Sequence, residues 1–497
     1  MAVDSPNILL LMTDQHRGDC LGIDGHPVLQ TPYLDAVGGT GIHFRRAYSA
    51  CPVCLPARRT LITGQQPCHH GVLANAIAPL TAATLPEVLS EAGYQTHLVG
   101  KLHLFPERKL YGFHSAQWAD CPIPGLRMST RHHDALANHF SSENDYERFL
   151  SRSNMTPPGV PAVSSAHGLD DNGYTARPWH LPEPLHFSNW CADQAIEFLE
   201  RRDPTRPFFL KVSFFHPHTP CTPPPWYFDL YMAMDLPRPH VGDWVDQSTI
   251  PSRGMAVDAP RVNLEPHVLK QFMSGYFGSI THVDHQIGRI MQIIPKNTII
   301  VFCSDHGEMM GDHHWMRKSL PYEGSARIPL LMKFPEGTGL PQGRVVDEPV
   351  ELMDIMPTLL DAAGTSIPET VDGHSVLPLL RGESQWRPYL HGELSNVPLL
   401  SSDDPYRRTG MQYLTDGKRK YIWFPGLGIE QFFDLERDPH EINDRSEDSE
   451  LTDEVSAWRS RLIKELADRP EGFTNGQSLN VLHQATTRCL IDNEDSD

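Results

Sequence analysis

Asn7-Ile8-Leu9-Leu10-Leu11-Met12 runs straight into Thr13-Asp14-Gln15-His16. An unbroken apolar run suits a strand covered on both faces, as in a parallel sheet, whereas a strand with one wet face alternates. The polar residues that stop the run therefore stand at the strand's carboxyl end. Three further strands end the same way, in polar residues. Thr96-His97-Leu98-Val99 ends in Gly100-Lys101-Leu102-His103, Phe208 to Phe215 ends in His216-Pro217-His218, and Thr298 to Cys303 ends in Ser304-Asp305-His306. Helical segments lie between these runs. Thr84-Leu85-Pro86-Glu87 is a capping box whose helix stops by Gly93, Asn189 to Arg201 carries Ala192, Ile196 and Leu199 on one face, and Gly275 to Ile294 has helical spacing. Strand–helix alternation predicts a doubly wound α/β domain. Asp14, Lys101, His218, Asp305 and His306 then share the sheet edge where open α/β folds bind ligands.

A second stretch points to chemistry: Cys54-Leu55-Pro56-Ala57-Arg58-Arg59-Thr60-Leu61-Ile62-Thr63-Gly64. Proline is tolerated in a helix's first turn, and Gly64 is a natural stop. Cys54 thus meets the free N–H groups and positive dipole end of a short helix, a place that favours anions. Arg58, one turn on, lies on the same face. Cys51-Pro52-Val53-Cys54 also has the spacing of a zinc half-site or a redox dithiol, but no second Cys-x-x-Cys follows it. A buried inert thiol is the plainer alternative.

With 497 residues the chain can build a large core and more than one domain. Its 39% hydrophobic and 21% charged residues are those of a soluble globular protein, and its formal net charge of −20 argues against a nucleic-acid partner. An anionic substrate then requires positive charge gathered locally. Nine scattered cysteines are not a disulfide framework. No basic, apolar leader and no membrane-length apolar run appear, so the expectation is a cytoplasmic protein without a membrane partner, or a periplasmic or secreted one if a signal has been removed.

Phe105 to Pro184 and Pro217 to Pro266 read as histidine- and proline-rich loop excursions, with a helical hint at Asp145 to Leu150. Arg327 to Met332 reads as one further buried strand and Asp354 to Ala363 as a helix. A boundary near Gly382 to Arg387 divides a catalytic domain, 1–385, from a smaller α+β subdomain, 386–497. There, Lys420 to Phe424 and Gln431 to Leu435 read as antiparallel strands, Thr452 to Leu466 as a helix, and Ile491 to Asp497 as a frayed acidic tail.

Asp14, Asp305, Gln15 and His306 offer mostly hard oxygen ligands, which suit Ca²⁺ or Mg²⁺, while the imidazole leaves Mn²⁺ open. The cysteine with proline at +2, arginine at +4 and a following threonine-glycine resembles the type I sulfatase signature of the alkaline-phosphatase superfamily. The resemblance extends over nearly the whole chain, including Tyr421 to Pro439. It implies an alkaline-phosphatase-like mixed sheet flanked by helices, and oxidation of Cys54 to formylglycine, whose hydrate is the nucleophile, by a formylglycine-generating enzyme. It implies one Ca²⁺ held by Asp14, Asp305, His306 and the modified Cys54, with Gln15 standing where the family often has a second aspartate. Arg58 would fix the formylglycine, and Lys101 and Lys318 would hold the sulfate oxygens. His103 would orient the hydrate and take its proton, and His218 would protonate the departing oxygen, with His216 as the alternative acid. His70 joins the candidates for substrate binding. The implied reaction is hydrolysis of a sulfate monoester of a carbohydrate or other small alcohol, by a chain free to form a homo-oligomer. Gly307 to His313 also resembles phosphonate monoester and phosphodiester hydrolases, which share the nucleophile, and an unoxidised Cys54 would leave an inactive sulfated-ligand-binding protein.

Overall fold

In the computed structural model, β1 (Asn7–Asp14) is buried along its whole length in the interior of an eight-stranded sheet. The structure describes residues 5–120, 144–153, 155, 169, 172–250, 260–383, 385–395, 410–482 and 490. The further strands are β2 (Ile42–Phe44), β3 (Ala47–Tyr48), β4 (Gln95–Gly100), β5 (Ser115–Trp118), β6 (Phe208–Pro217), β7 (Thr298–Ser304), β8 (Arg327–Ile328), β9 (Leu330–Lys333), β10 (Arg344–Val346) and β11 (Val350–Glu351). Four more, β12 (Leu390–Leu394), β13 (Met411–Thr415), β14 (Arg419–Phe424) and β15 (Ile429–Asp434), form a separate antiparallel sheet.

The large sheet is ordered β10-β2-β9-β7-β1-β6-β4-β5. β1 is parallel to β6 and β7, and β4 to β5 and β6, whereas β9 runs antiparallel to both β7 and β2. The sheet is therefore mixed, as the family resemblance implies. The continuous apolar run of β1 has its expected cause. Ile8, Leu10 and Met12 enter one core with Ala57, Leu61, Leu89 and Leu359, while Leu9 and Leu11 enter another with Trp190, Ala195, Val283 and Ile287. Each such aliphatic side chain contributes about 1.5–3 kcal/mol by leaving water.

Most expected elements appear. The Thr84–Glu87 capping box is complete, and helices occupy Cys54–Thr63, Asp145–Arg152, Phe187–Arg201, Ile355–Ala362 and Thr452–Glu465. Three readings need correction. The stretch from Arg327 to Met332 is two strands, because Pro329 lacks the N–H that a continuous ladder needs. β8 pairs with β3 in a three-stranded sheet ordered β11-β3-β8, and β9 joins the large one. The helix expected from Gly275 begins at Pro266, whose missing N–H is harmless in a first turn. The supposed loop from Pro217 to Pro266 contains a helix, Pro225–Met232. Much of the Phe105 to Pro184 excursion and the acidic tail from Ile491 to Asp497 lie outside the described residues.

The small sheet packs Leu414, Tyr421 and Phe432 against Val455, Trp458 and Leu462 of the Thr452–Glu465 helix. Other residues of that sheet, Tyr413, Ile422 and Phe433, share a core with Tyr48, Met309 and Tyr322 of the larger body. Among the described residues no helix is long and apolar enough to cross a membrane, and the seven cysteines are free thiols.

Candidate active site

The carboxyl ends of β1, β4, β6 and β7 deliver Asp14, Lys101, His218 and Asp305-His306 to one place, and the Cys54–Thr63 helix aims its first turn at them. All of these side chains are buried. Val53 holds extended backbone before the helix, and Gly64 ends it at φ +67. Arg58 then reaches back along the helix. Its Nε donates to Asp305 Oδ2 at 2.8 Å, Nη2 to Asp14 Oδ2 at 3.1 Å, and Nη1 to the Lys101 carbonyl and Ser213 Oγ, each at 3.1 Å. Lys101 Nζ donates to the same Asp14 Oδ2 at 2.5 Å.

The cationic groups take the Oδ2 atoms, so the other oxygens face inward. Asp14 Oδ1 and Asp305 Oδ1 each lie 3.7 Å from His306 Nε2, and Cys54 Sγ is 3.2 Å from that nitrogen and 3.9 Å from Asp14 Oδ1. His306 Nδ1 donates to the Gly307 carbonyl at 3.0 Å, which leaves Nε2 to present a lone pair inward. Two carboxylate oxygens, an imidazole lone pair and a sulfur within 4.8 Å of one another fit a divalent cation. It is the one such cluster among the described residues.

Opposing charges set the protonation. Burial opposes ionisation of Asp14, but Lys101, His218, Arg58 and Lys318 hold its carboxyl well below the usual range. Burial and Asp14 both resist ionisation of Cys54, yet Lys318, Lys101 and His306 pull the thiol below its ordinary value. Burial, then the neighbouring Lys101 and Arg58, hold His103 well below the usual imidazole range. Burial, then Lys318 and also Lys101, do the same to His218. Burial would lower His306 too, but the facing Asp305, with Cys54, raises it. The cluster attracts positive charge.

Lys318 closes the site from the loop after β7, with Nζ donating to Gln15 Oε1 at 2.8 Å and to Cys54 Sγ at 3.2 Å. His218 Nδ1 donates to the Thr219 carbonyl at 2.6 Å, which leaves Nε2 as the ring's working nitrogen. Its ring lies 4.7 Å from that of Phe215, over which Lys101 Nζ also sits at 5.1 Å. His216 instead lies against Ser188 and the His186 ring. His70 has both nitrogens engaged locally, Nε2 with Thr60 Oγ1 at 3.0 Å and Nδ1 accepting from Val72 N at 3.2 Å.

Further residues support the site without having been assigned a role from the sequence. Asp120 accepts from the backbone N–H groups of Leu102 and His103 at 2.7 and 2.8 Å, fixing the turn that carries His103 at φ +56. Glu308 meets Gln15 Nε2 at 2.5 Å. Gly100 has φ +86, and a Cβ there would lie 2.2 Å from the Ser213 carbonyl oxygen. Gly100→Ala should therefore cost about 1–3 kcal/mol in backbone strain and displace Lys101. Urea unfolding checks this, and an unchanged midpoint would contradict it.

Comparison with known proteins adds a second line of observation. A family profile described as Sulfatase matches residues 6–365, and one described as N-sulphoglucosamine sulphohydrolase, C-terminal, matches residues 311–468. The arylsulfatase of Clostridium perfringens (strain 13 / Type A) is 40% identical over 485 residues, covering 95% of this chain and 97% of that protein. The crystal structure of the phosphonate monoester hydrolase of Agrobacterium radiobacter is similar with a TM-score of 0.73 at 24% identity, covering 93% of this chain and 95% of that one. A protein solved with its substrate D-glucosamine-2-N,6-O-disulfate is similar with a TM-score of 0.71 at 22% identity, covering 95% and 100%. At these identities the two structures speak to the fold alone.

Proposed function

The chain belongs to the sulfatase family and hydrolyses sulfate esters, and on that premise we propose that its nucleophile is formylglycine made from Cys54, beside a Ca²⁺ held by Asp14, Asp305 and His306 with Gln15 as a further oxygen donor. The observation that carries this reading is the position of Cys54. It is the first residue of a helix, 3.2 Å from both His306 Nε2 and Lys318 Nζ, inside the one metal-competent cluster among the described residues. Hydrated formylglycine offers one hydroxyl for attack on sulfur and a second for release of sulfate, and the cation supplies Lewis acidity beside it.

The protein's own residues do the rest. Arg58 neutralises the Oδ2 atoms of Asp14 and Asp305 and so keeps their Oδ1 atoms turned inward. Lys101 and Lys318 hold the sulfate oxygens, stabilising transfer by electrostatic clamping. His103, on a turn fixed by Asp120, orients the nucleophile and takes its proton, and His218 protonates the leaving oxygen. We put forward a sulfated saccharide or other small alcohol sulfate as substrate. Maturation requires a formylglycine-generating enzyme. We divide the chain at 385 into a catalytic domain and a C-terminal subdomain, the latter holding β12–β15.

The test is a panel of sulfate, phosphate and phosphonate esters on protein co-expressed with a formylglycine-generating enzyme. Sulfate esters should be turned over fastest, and a preference for phosphonate monoesters would overturn the assignment. Metal dependence is checked separately. Chelation should lower activity and Ca²⁺ restore it, while Asp305→Asn, which removes a charged oxygen ligand, should weaken metal affinity. Stoichiometric zinc, with neither calcium nor magnesium, would exclude the Ca²⁺ reading.

A further inference from the structure

Glu308 lies three residues beyond Asp305 and is fully buried. A buried carboxylate needs donors, and the structure supplies them from two separate parts of the site. Oε1 accepts from the backbone N–H of Met310 at 2.9 Å and from that of Arg317. Oε2 accepts from Gln15 Nε2 at 2.5 Å. Glu308 thus ties the loop that ends in Lys318 to the residue that follows Asp14.

This arrangement leaves the Gln15 amide one orientation. Lys318 Nζ can only donate, and it meets Oε1, whereas Glu308, whose other oxygen already accepts from two backbone N–H groups, meets Nε2. The backbone of Gln15 is held as firmly. Its N–H donates to Asp305 Oδ1 at 3.1 Å, its carbonyl accepts from Tyr276 Oη at 2.6 Å, and its φ is +64. A non-glycine residue persists in that left-handed region only where its surroundings over-determine it.

We propose that Glu308 is a positioning residue of the metal centre, which by engaging the amide nitrogen of Gln15 turns the amide oxygen toward Lys318 and the Asp14–Cys54–Asp305–His306 cluster. The proposal rests on the reading that this cluster binds a divalent cation. Glu308 touches neither the cluster's inward oxygens nor Cys54, so it acts through Gln15. Without it, the flexible amide could present N–H groups to a cation as readily as its oxygen.

The experiment measures Ca²⁺ dissociation constants on metal-stripped full-length protein, by competition with a fluorescent chelator. Glu308→Gln should raise the constant by roughly 10–100-fold, the usual cost of losing a partner that orients a metal ligand. In a Gln15→Ala background the same substitution should change it less than about threefold, because the two act as one unit. Unchanged binding by Glu308→Gln, or losses that multiply in the double variant, would overturn the proposal. Gln15→Glu gives an independent decision and stands alone if Glu308→Gln does not fold. It keeps an oxygen and adds a negative charge, which by charge alone strengthens cation binding. It has no N–H for Glu308, so binding should weaken, and tighter or equal binding overturns the role. If the wild type binds no Ca²⁺, the cofactor reading fails and the role of Glu308 with it. If the wild type binds and the variants bind equally, only the role of Glu308 is lost.

Discussion

Cys54→Ala is expected to lower kcat/KM on sulfate esters by about 10⁴-fold or more, the scale on which loss of a covalent nucleophile is felt. Alanine keeps the helix and removes only the atom that faces His306 and Lys318. The fold should therefore survive, and the thermal midpoint is the control. Cys51→Ala makes the contrast. Its thiol lies 3.7 Å from the Leu73 carbonyl, in the core beneath the small sheet, and burial followed by Glu393 and Glu351 pushes it well above the usual thiol range. That substitution should leave turnover near wild type. Mass spectrometry of the peptide containing Cys54 supplies the chemical check, since the aldehyde and the thiol differ in mass. Wild-type turnover by Cys54→Ala would end the formylglycine reading.

His218→Ala separates two kinds of leaving group. An alkyl or sugar alcohol needs a proton as the S–O bond breaks, whereas a nitrophenolate is already a stable anion. General acid catalysis is worth about 10²–10⁴-fold, so that loss should appear on an alkyl or sugar sulfate and much less of it on a nitrophenyl sulfate. Lys101→Ala and His103→Ala act on the sulfate and the nucleophile, so they should harm both substrates alike. The pH dependence carries a sign. Burial, then Lys318 and Lys101, hold His218 well below the usual imidazole range, so the free enzyme carries its acid form only toward low pH. For the alkyl or sugar sulfate, kcat/KM should rise as pH falls, and that limb should vanish in His218→Ala. Folding sets the floor of the measurement. Burial holds His16, His70, His97 and His313 at about 4, 3, 4 and 4, so the unfolded chain binds more protons and stability declines as pH falls through the ordinary imidazole range. Equal losses on both substrates would take the acid role from His218.

Local pattern was enough for a large part of this molecule. A strand buried on both faces is mostly apolar, so β1 and β7 announce themselves as near-continuous apolar runs, β4 and β6 by shorter ones, and the polar residues that follow each mark the ligand edge. The capping box at Thr84 and the Cys54-to-Gly64 helix are equally local, because caps and stops are written within one turn of chain. Those features placed Asp14, Lys101, His218, Asp305 and His306 on one edge, and the family resemblance brought Cys54 and Arg58 to them.

What local pattern could not carry were partnerships across the chain. His70 carries the same imidazole as His218, and only the tertiary structure shows its contacts with Thr60 and Val72. The reversed direction of β9 depends on which neighbours it meets. The 2.5 Å contact between Gln15 and Glu308 spans 293 positions of sequence. A buried carboxylate and an exposed one read the same in sequence, because the difference is the donors that surround it. Periodicity and capping express what a residue does to its own few neighbours, and so the chain by itself determined the strands, their helices and the reactive edge. Charge pairing, ligand orientation and the protonation of His103 and His218 depend on desolvation by distant segments, and only the tertiary structure decided them.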